Sequence, residues 1–289
     1  MKKIIIIGSS GFIGKSIKDY IKKKKINISR VFTYSRSEKR NILKIRNLPK
    51  ADYILYCINS KKISKSIEYF NHFKNLLNGY SKKTKILFLS SGAVYGKNIT
   101  NKKSREKSKI DLISINKFSD YKKNYAKEKI YLEKKFIELS HLGYRVSIAR
   151  CFTFVGKHIP KNSHFLIGNL IQNILDRKEL FIKSNYKIVR SFMHTDDLSR
   201  CLFKIMNKTK DICEIYNVGS DDAIEINILL RKLSNKYKIG FNQVNNFDIK
   251  KSDYYVPNTS KIKNELNWRN RYKSFEAILK TLNDLNSLK

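Results

Sequence analysis

Acidic residues, proline, glycine and cysteine are all in short supply in this 289-residue chain, and each shortage closes off a class of protein. The three prolines and eleven glycines fall in no internal repeat and no low-complexity linker, so a solenoid or a string of beads is excluded. The four cysteines, Cys57, Cys151, Cys201 and Cys213, stand at no metal-ligand spacing. That argues against a metal site and for buried, reduced thiols in a reducing cytoplasm. No stretch approaches the roughly 18 apolar residues of a membrane span, and the run Ile4 to Ile7 is too short for a secretory signal core. The expectation is a soluble, cytoplasmic protein with no membrane partner.

The shortage of acid leaves 61 basic residues against 24 acidic ones, a formal net charge of +37. Such a surplus ordinarily points to nucleic acid or another anionic surface. Its distribution points elsewhere. Runs such as IKKKKINI, NSKKISKS and NGYSKKTKI scatter lysine through almost every predicted helix and loop, as an A+T-rich coding sequence choosing Lys, Ile and Asn would. A solvated basic face is expected and no nucleic-acid partner, with a polyanion-binding surface as the alternative. In either case nucleotides and other small anions are attracted.

What is present is enough apolar material, 41% of residues with 12% aromatic, to bury a large core. Short β-branched runs alternate with helical stretches through the first half, the signature of a parallel sheet with crossover helices. Strands are predicted at Lys3 to Ile7, Arg30 to Tyr34, Tyr53 to Ile58, Ile86 to Ser91 and Arg145 to Arg150. Helices are predicted at Gly11 to Lys24, Ile63 to Leu77 and Lys117 to Leu142. After Gly156 the alternation fades into helices at His164 to Leu175, toward Met206, and at Ile224 to Tyr237, Ser260 to Leu266 and Ser274 to Leu285, with a strand at Ile215 to Ser220. The fold class is α/β, a Rossmann-type doubly wound parallel sheet with a smaller interwoven C-terminal substrate lobe. Residues 1–151 form the dinucleotide domain with 190–220 returning to it, and 152–189 with 221–289 form the lobe.

The first predicted strand runs into Gly8, Gly11 and Gly14 at three-residue spacing and then into an amphipathic helix. Such a turn exposes backbone N–H groups at the positive end of a helix, where a pyrophosphate binds without a cationic side chain. Gly8 permits the turn, Gly11 the close approach of phosphate, and Gly14 the packing of helix on strand. Ser10, Phe12 and Ile13 complete the expected cofactor-binding turn.

The GxxGxxG spacing, LSSGAVYG at Leu89 to Gly96, YAKEKIYLE around Tyr125 and Lys129, and RSFMHTDDL from Arg190 resemble the extended short-chain dehydrogenase/reductases that act on nucleotide sugars. IYNVGS and TSKIKNELNW are similar to later signatures of that family, so the resemblance runs from residue 1 to about 270. It implies that Ser91 holds the reacting oxygen, Tyr125 transfers a proton, and Lys129 tunes Tyr125 and binds the nicotinamide ribose. A cation one helical turn away lowers a phenol pKa that is otherwise about 10. The resemblance further implies cofactor contacts at Asn41 and Phe152, and substrate contacts at Val94, Tyr95, Thr153 and Arg190, the last gripping a diphosphate. His194 and Asp197 read as structural. Three positions depart from the family pattern: CINS at Cys57 to Ser60 replaces a small Ala-Ala pair, Asn41 an aspartate and Thr153 an asparagine.

Ser35 and Arg36 stand where a carboxylate would accept from the ribose hydroxyls, and a cation there suits a 2′-phosphate. NADP is expected over NAD, with Glu38 as the ribose acceptor in the alternative register. A dissociable NADPH implies net reduction, so the leading expectation is reduction of a keto group, at C4, of a nucleotide-linked 6-deoxy-hexulose, producing a deoxy-sugar nucleotide. A nucleotide-sugar 4-epimerase with tightly bound NAD is the alternative, and a non-catalytic dinucleotide-sensing or nucleic-acid-binding relative a further one. The family also implies a homodimer through the helix carrying Tyr125.

Overall fold

A computed structural model describes residues 1–289 except 25, 37–39, 61, 99–101, 162–165, 183, 244–247 and 288–289. Glu38 and His164, named above, therefore lie outside the described residues.

The first half of the chain contains β1 (Lys2–Ile7), α1 (Phe12–Lys24), β2 (Ile28–Tyr34), β3 (Tyr53–Tyr56), α2 (Ile63–Leu76), β4 (Lys85–Ser91), α3 (Leu112–Asn116), α4 (Asp120–His141) and β5 (Arg145–Cys151). Next come β6 (Phe154–Val155), α5 (Leu166–Leu175), β7 (Leu180–Ile182), β8 (Tyr186–Arg190), β9 (Met193–His194), α6 (Thr195–Lys208) and β10 (Glu214–Val218). The chain closes with β11 (Ile224–Glu225), α7 (Ile226–Tyr237), β12 (Phe241–Gln243), β13 (Asp248–Tyr255), α8 (Ser260–Leu266) and α9 (Ser274–Asn286).

Ile4, Ile5, Ile6 and Ile7 are all 0% exposed, which only a strand covered on both faces allows. β1 takes that place in a six-stranded, all-parallel sheet of order β10-β5-β4-β3-β1-β2. Side chains alternate across it: Ile4 and Ile6 pack with α1, α6 and α8, whereas Ile5 and Ile7 pack with α2 and α4. Phe88 and Phe136 stack at 4.4 Å in the second layer, with Tyr56, Phe70 and Phe73 around them. β10 reaches the sheet by pairing with β5, and α6 lies against α1.

A separate apolar cluster is built from α5, α7, α9, β7 and β8. Around it lie three small sheets, β11-β8-β13, β12-β7 and β6-β9, none of whose strands the sequence reading predicts. Several boundaries also differ from expectation. β3 stops at Tyr56, so Cys57 lies beyond the strand, where its backbone abuts Gly8. The helix expected from Lys117 starts at Asp120, after a one-turn α3 whose N–H groups at Ile113 and Ser114 are capped by Asp111 at 3.1 Å. Ile224 and Glu225 are drawn into pairing with β8, which delays α7 to Ile226.

Candidate active site

β1 ends in a turn that is pinned to its neighbour, the N–H groups of Gly8 and Ser9 both donating to Tyr34 O at 2.8 and 3.0 Å. Gly8 has φ +104°, and a Cβ on it would lie 2.6 Å from the carbonyl carbon of Cys57. A Cβ on Gly14 would lie 2.4 Å from Gly8 O and 2.7 Å from Ser9 Cα. Both glycines are thus required by backbone contact. Gly11 differs: a Cβ there meets nothing nearer than Gly8 O at 3.4 Å, and both Gly11 and Ser10 are exposed. Phe12 and Ile13 open α1, whose first turn carries no acidic side chain. The turn therefore presents open space at the positive end of a helix, which fits the pyrophosphate of a dinucleotide.

At the end of β2, Ser35 is buried and bridges to Asn41, while Arg36 is exposed. Asn41 spends its side-chain oxygen on Leu43 N, 3.0 Å away, capping a 3-10 turn at Ile42–Lys44. Arg40, which sequence reasoning did not single out, adds a second exposed guanidinium here and donates to the Thr33 hydroxyl.

The chemistry-bearing side chains converge from three elements. Lys129 is 3% exposed on α4 and donates to Ile58 O at 3.4 Å, which sets it beside the backbone that abuts Gly8. Its Nζ lies 5.6 Å from the Tyr125 ring centroid and 5.2 Å from that of Phe88. Ser91, at the C-terminal end of β4, is within hydrogen-bonding reach of Tyr125, and its Oγ accepts from Ala93 N at 3.2 Å. A phenol, an ammonium and an alcohol are thereby brought together next to the glycine turn.

A third hydroxyl joins them from the lobe. Tyr255, at the end of β13, places its OH 3.5 Å from Ser91 Oγ. Its ring packs on Phe152 at 4.7 Å, and Gly92 makes room, since a Cβ there would be 2.8 Å from Tyr255 OH. Nothing in the local pattern around Tyr254 and Tyr255 marks this residue; it becomes visible only once β13 pairs with β8.

Burial dominates the electrostatics. It holds the Tyr125 phenol well above its ordinary range, with the Ser91 hydrogen bond opposing it. Burial also lowers Lys129, opposed first by Glu128. Burial is the largest influence on the phenol and acts against the depression expected from the Tyr-Lys spacing. The Cys57 and Cys151 thiols facing Lys129 are pushed up to about 12 by burial and stay protonated.

The expected substrate residues are placed unequally. Val94 is 0% exposed and packs in a small cluster with Tyr95 and Phe152. Tyr95 OH donates to Asn217 Oδ1 at 2.7 Å and accepts from Arg150 Nη1 at 3.0 Å, so it is committed to an interior network instead of facing a ligand. That network is anchored by Arg150 paired with Glu133, at 2.9 Å from Nε and 2.7 Å from Nη2. Thr153 is half-buried, its carbonyl accepting from Met193 N at 3.1 Å. Arg190 pairs with Asp253 at 2.6 Å and stands 5.9 Å from the Tyr255 ring centroid, at the same end of the site. His194 caps α6 through Nδ1 and Asp196 N, and Asp197 accepts from the N–H groups of Arg271 and Tyr272.

A model of the NAD dependent epimerase/dehydratase family matches residues 4–219. Among solved structures, the chain is similar to a dTDP-glucose 4,6-dehydratase from Bacillus anthracis in complex with NAD, at 15% identity and TM-score 0.81, covering 99% of this chain and 97% of that one. It is similar to RMD from Pseudomonas aeruginosa complexed with NADPH, at 16% identity and TM-score 0.78, covering 100% and 99%. A UDP-glucose-4-epimerase from Stenotrophomonas maltophila, with bound NAD and formylated UDP-arabinopyranose, aligns at 15% identity and TM-score 0.76 over 100% and 99%.

Proposed function

This chain belongs to the NAD dependent epimerase/dehydratase family, and from that premise we propose that it reduces the keto group, at C4, of a nucleotide-linked 6-deoxy-hexulose, with NADPH as reductant. The observation that carries the reading is the convergence of Ser91, Tyr125 and Lys129 beside the glycine turn. When bound, the reduced nicotinamide supplies the hydride. Tyr125 donates its proton to the oxygen that becomes alkoxide, and a phenol kept protonated by burial suits that direction of transfer. Ser91 holds the same oxygen by hydrogen bond, and Tyr255 stands close enough to Ser91 to do likewise. Lys129 binds the nicotinamide ribose. Phe152 and Tyr255 wall the site against water. Arg190 grips the substrate diphosphate by exchanging Asp253 for phosphate oxygens. Arg36, exposed at the end of β2, favours the 2′-phosphate of NADPH.

The test incubates the protein with NADPH and a panel of dTDP-, CDP-, GDP- and UDP-4-keto-6-deoxysugars and follows the reduced nicotinamide absorbance. Loss of absorbance with one member supports the reading, and no loss with any member overturns it. A second reading, a nucleotide-sugar 4-epimerase with tightly held NAD, is favoured by the NAD in two of the three similar structures. Cofactor retained through gel filtration, with substrate interconversion needing no added NADPH, would establish that reading instead.

A further inference from the structure

Arg190, assigned above to the substrate diphosphate, is bonded to an anion of the protein's own. Its Nη2 donates across from β8 to Asp253 Oδ2 on β13, at 2.6 Å. The two strands run parallel, with Tyr255 opposite Arg190 and Asp253 opposite Ile188. Asp253 and Tyr255 are two residues apart, so their side chains leave the same face of β13. One meets the guanidinium, and the other meets Ser91 Oγ at 3.5 Å. With Arg190 Cζ 5.9 Å from the Tyr255 ring centroid, carboxylate, guanidinium and hydroxyl are neighbours at the lobe side of the site.

The guanidinium does not depend on that carboxylate for its place. Its Nη1 donates to two main-chain oxygens, Val189 O and Asp253 O, each at 2.9 Å. Both acceptors survive a change of side chain at position 253. The carboxylate occupies the other terminal nitrogen, the one left for a ligand. The side chains of Arg190 and Asp253 are 20% and 29% exposed, so an incoming oxygen reaches the pair without opening the core. A phosphate oxygen that takes Nη2 must first break a charge-assisted bond and then lie beside a displaced carboxylate of its own sign. Both effects oppose binding.

We propose that Asp253 is an exchange partner for the phosphate end of the substrate: it limits the grip of Arg190 on the diphosphate and takes the guanidinium back as the product leaves. The inference rests on the reading of Arg190 as the diphosphate residue. Substrate and product carry the same diphosphate, so affinity there is common to both and slows release. A carboxylate on the adjacent strand keeps that affinity down. Because Nη1 retains its main-chain bonds throughout the exchange, β13 stays in place and Tyr255 remains at Ser91.

The test is a set of calorimetric titrations with dTDP-, CDP-, GDP- and UDP-glucose on the wild type, Asp253→Asn, Arg190→Ala and the double variant, each shown by a melting curve to be folded. Asp253→Asn binds the nucleotide sugar that the wild type accepts about threefold to fivefold more tightly. Most of that factor is a slower dissociation, read by stopped flow. A carboxylate that merely supported Arg190 would give the opposite sign, weaker binding. The tightening is much smaller in the Arg190→Ala background, where the contested donor is gone. Unchanged or weaker binding in Asp253→Asn, with Arg190→Ala still weakening it, overturns the proposal alone. An Arg190→Ala protein that binds as the wild type does overturns the reading of Arg190 and the proposal with it. A panel from which neither the wild type nor Asp253→Asn binds any member overturns both.

Discussion

A methyl group added at Gly11 separates cofactor binding from folding, and the three glycines of the turn provide the controls. At Gly14 a Cβ would be 2.4 Å from Gly8 O and 2.7 Å from Ser9 Cα, both backbone atoms that cannot step aside. Overpacking of that kind costs about 1–3 kcal/mol, or roughly 2–8 °C in Tm for a chain of this size. Gly8→Ala adds the strain of φ +104° to a 2.6 Å contact with the Cys57 backbone and should lose at least as much. Gly11→Ala meets only Gly8 O at 3.4 Å, an ordinary contact, and φ at this position is not in the left-handed region. The unfolded chain loses freedom, so stability rises by about 0.4–1 kcal/mol. The added methyl stands where the pyrophosphate must approach. Loss of one backbone hydrogen bond to a charged phosphate costs about 1.5–3 kcal/mol, which is roughly tenfold to more than a hundredfold in Kd. Thermal melts paired with a fluorescence titration of NADPH read both quantities on the same samples. A Gly11→Ala protein that binds NADPH as tightly as the wild type, or that melts as early as Gly14→Ala, would refute the assignment of the turn.

The other residues of the site make separate demands. Tyr125→Phe should lower turnover by about 10²–10⁴-fold while NADPH affinity is kept, and Tyr255→Phe should lower it by a smaller factor; steady-state kinetics with fluorescence titration tests both. Arg36→Ala should weaken NADPH about tenfold and leave NADH unchanged, measured as the ratio of the two Kd values. Glu133→Gln leaves Arg150 as an uncompensated buried cation and should cost about 3–5 kcal/mol, read by urea unfolding; an unchanged midpoint would mean that the pair is not buried. His194 is held below its ordinary pKa by burial, against the opposing pull of Asp196 and Asp284. The unfolded chain therefore takes up a proton more readily than the folded one, so this contribution is complete above about pH 6.5 and is lost as pH falls toward the folded value. The Tm advantage of the wild type over His194→Asn should shrink between pH 7 and 5.

The parts of the fold that were legible are those whose local pattern has one physical solution. Four fully buried isoleucines in succession fit only an interior parallel strand, and Gly8 and Gly14 announce a turn with backbone on every side. The strands of the lobe were not legible. Phe154–Val155 and Met193–His194 are two residues long, too short to show a period, and exist because their partners are present. Spacing placed Tyr125 and Lys129 on one helical face, but the state of the phenol depends on how much water reaches it, and no motif encodes that. Tyr95 shows the opposite failure. It sits in a run similar to the family's, yet its hydroxyl is claimed by Arg150 and Asn217, partners 55 and 122 residues away. Tyr255 had no signal to find, because its place in the site follows from a contact with Ser91 across 164 residues.

The charge of +37 and the site belong to different parts of the molecule. Among the described residues, the carboxyl side chains that are buried are Glu128, Glu133 and Asp197 against the basic side chains of Lys129 and Arg150, so the interior carries no share of the basic surplus. Two of those acids are bonded to a cation, Glu133 to Arg150 and Asp197 to Arg200. The excess is therefore a property of the solvated surface, where isolated lysines interact weakly and are screened by salt within about 8–10 Å. It can draw a nucleotide sugar or a dinucleotide toward the protein, and it does so less as ionic strength rises. It cannot tune a phenol that only the buried charges reach. Salt should consequently slow substrate capture, seen in kcat/KM, and leave the pH dependence of kcat where the buried surroundings of Tyr125 put it. A pH profile of kcat that moved with salt would mean that the surface charge reaches the site after all.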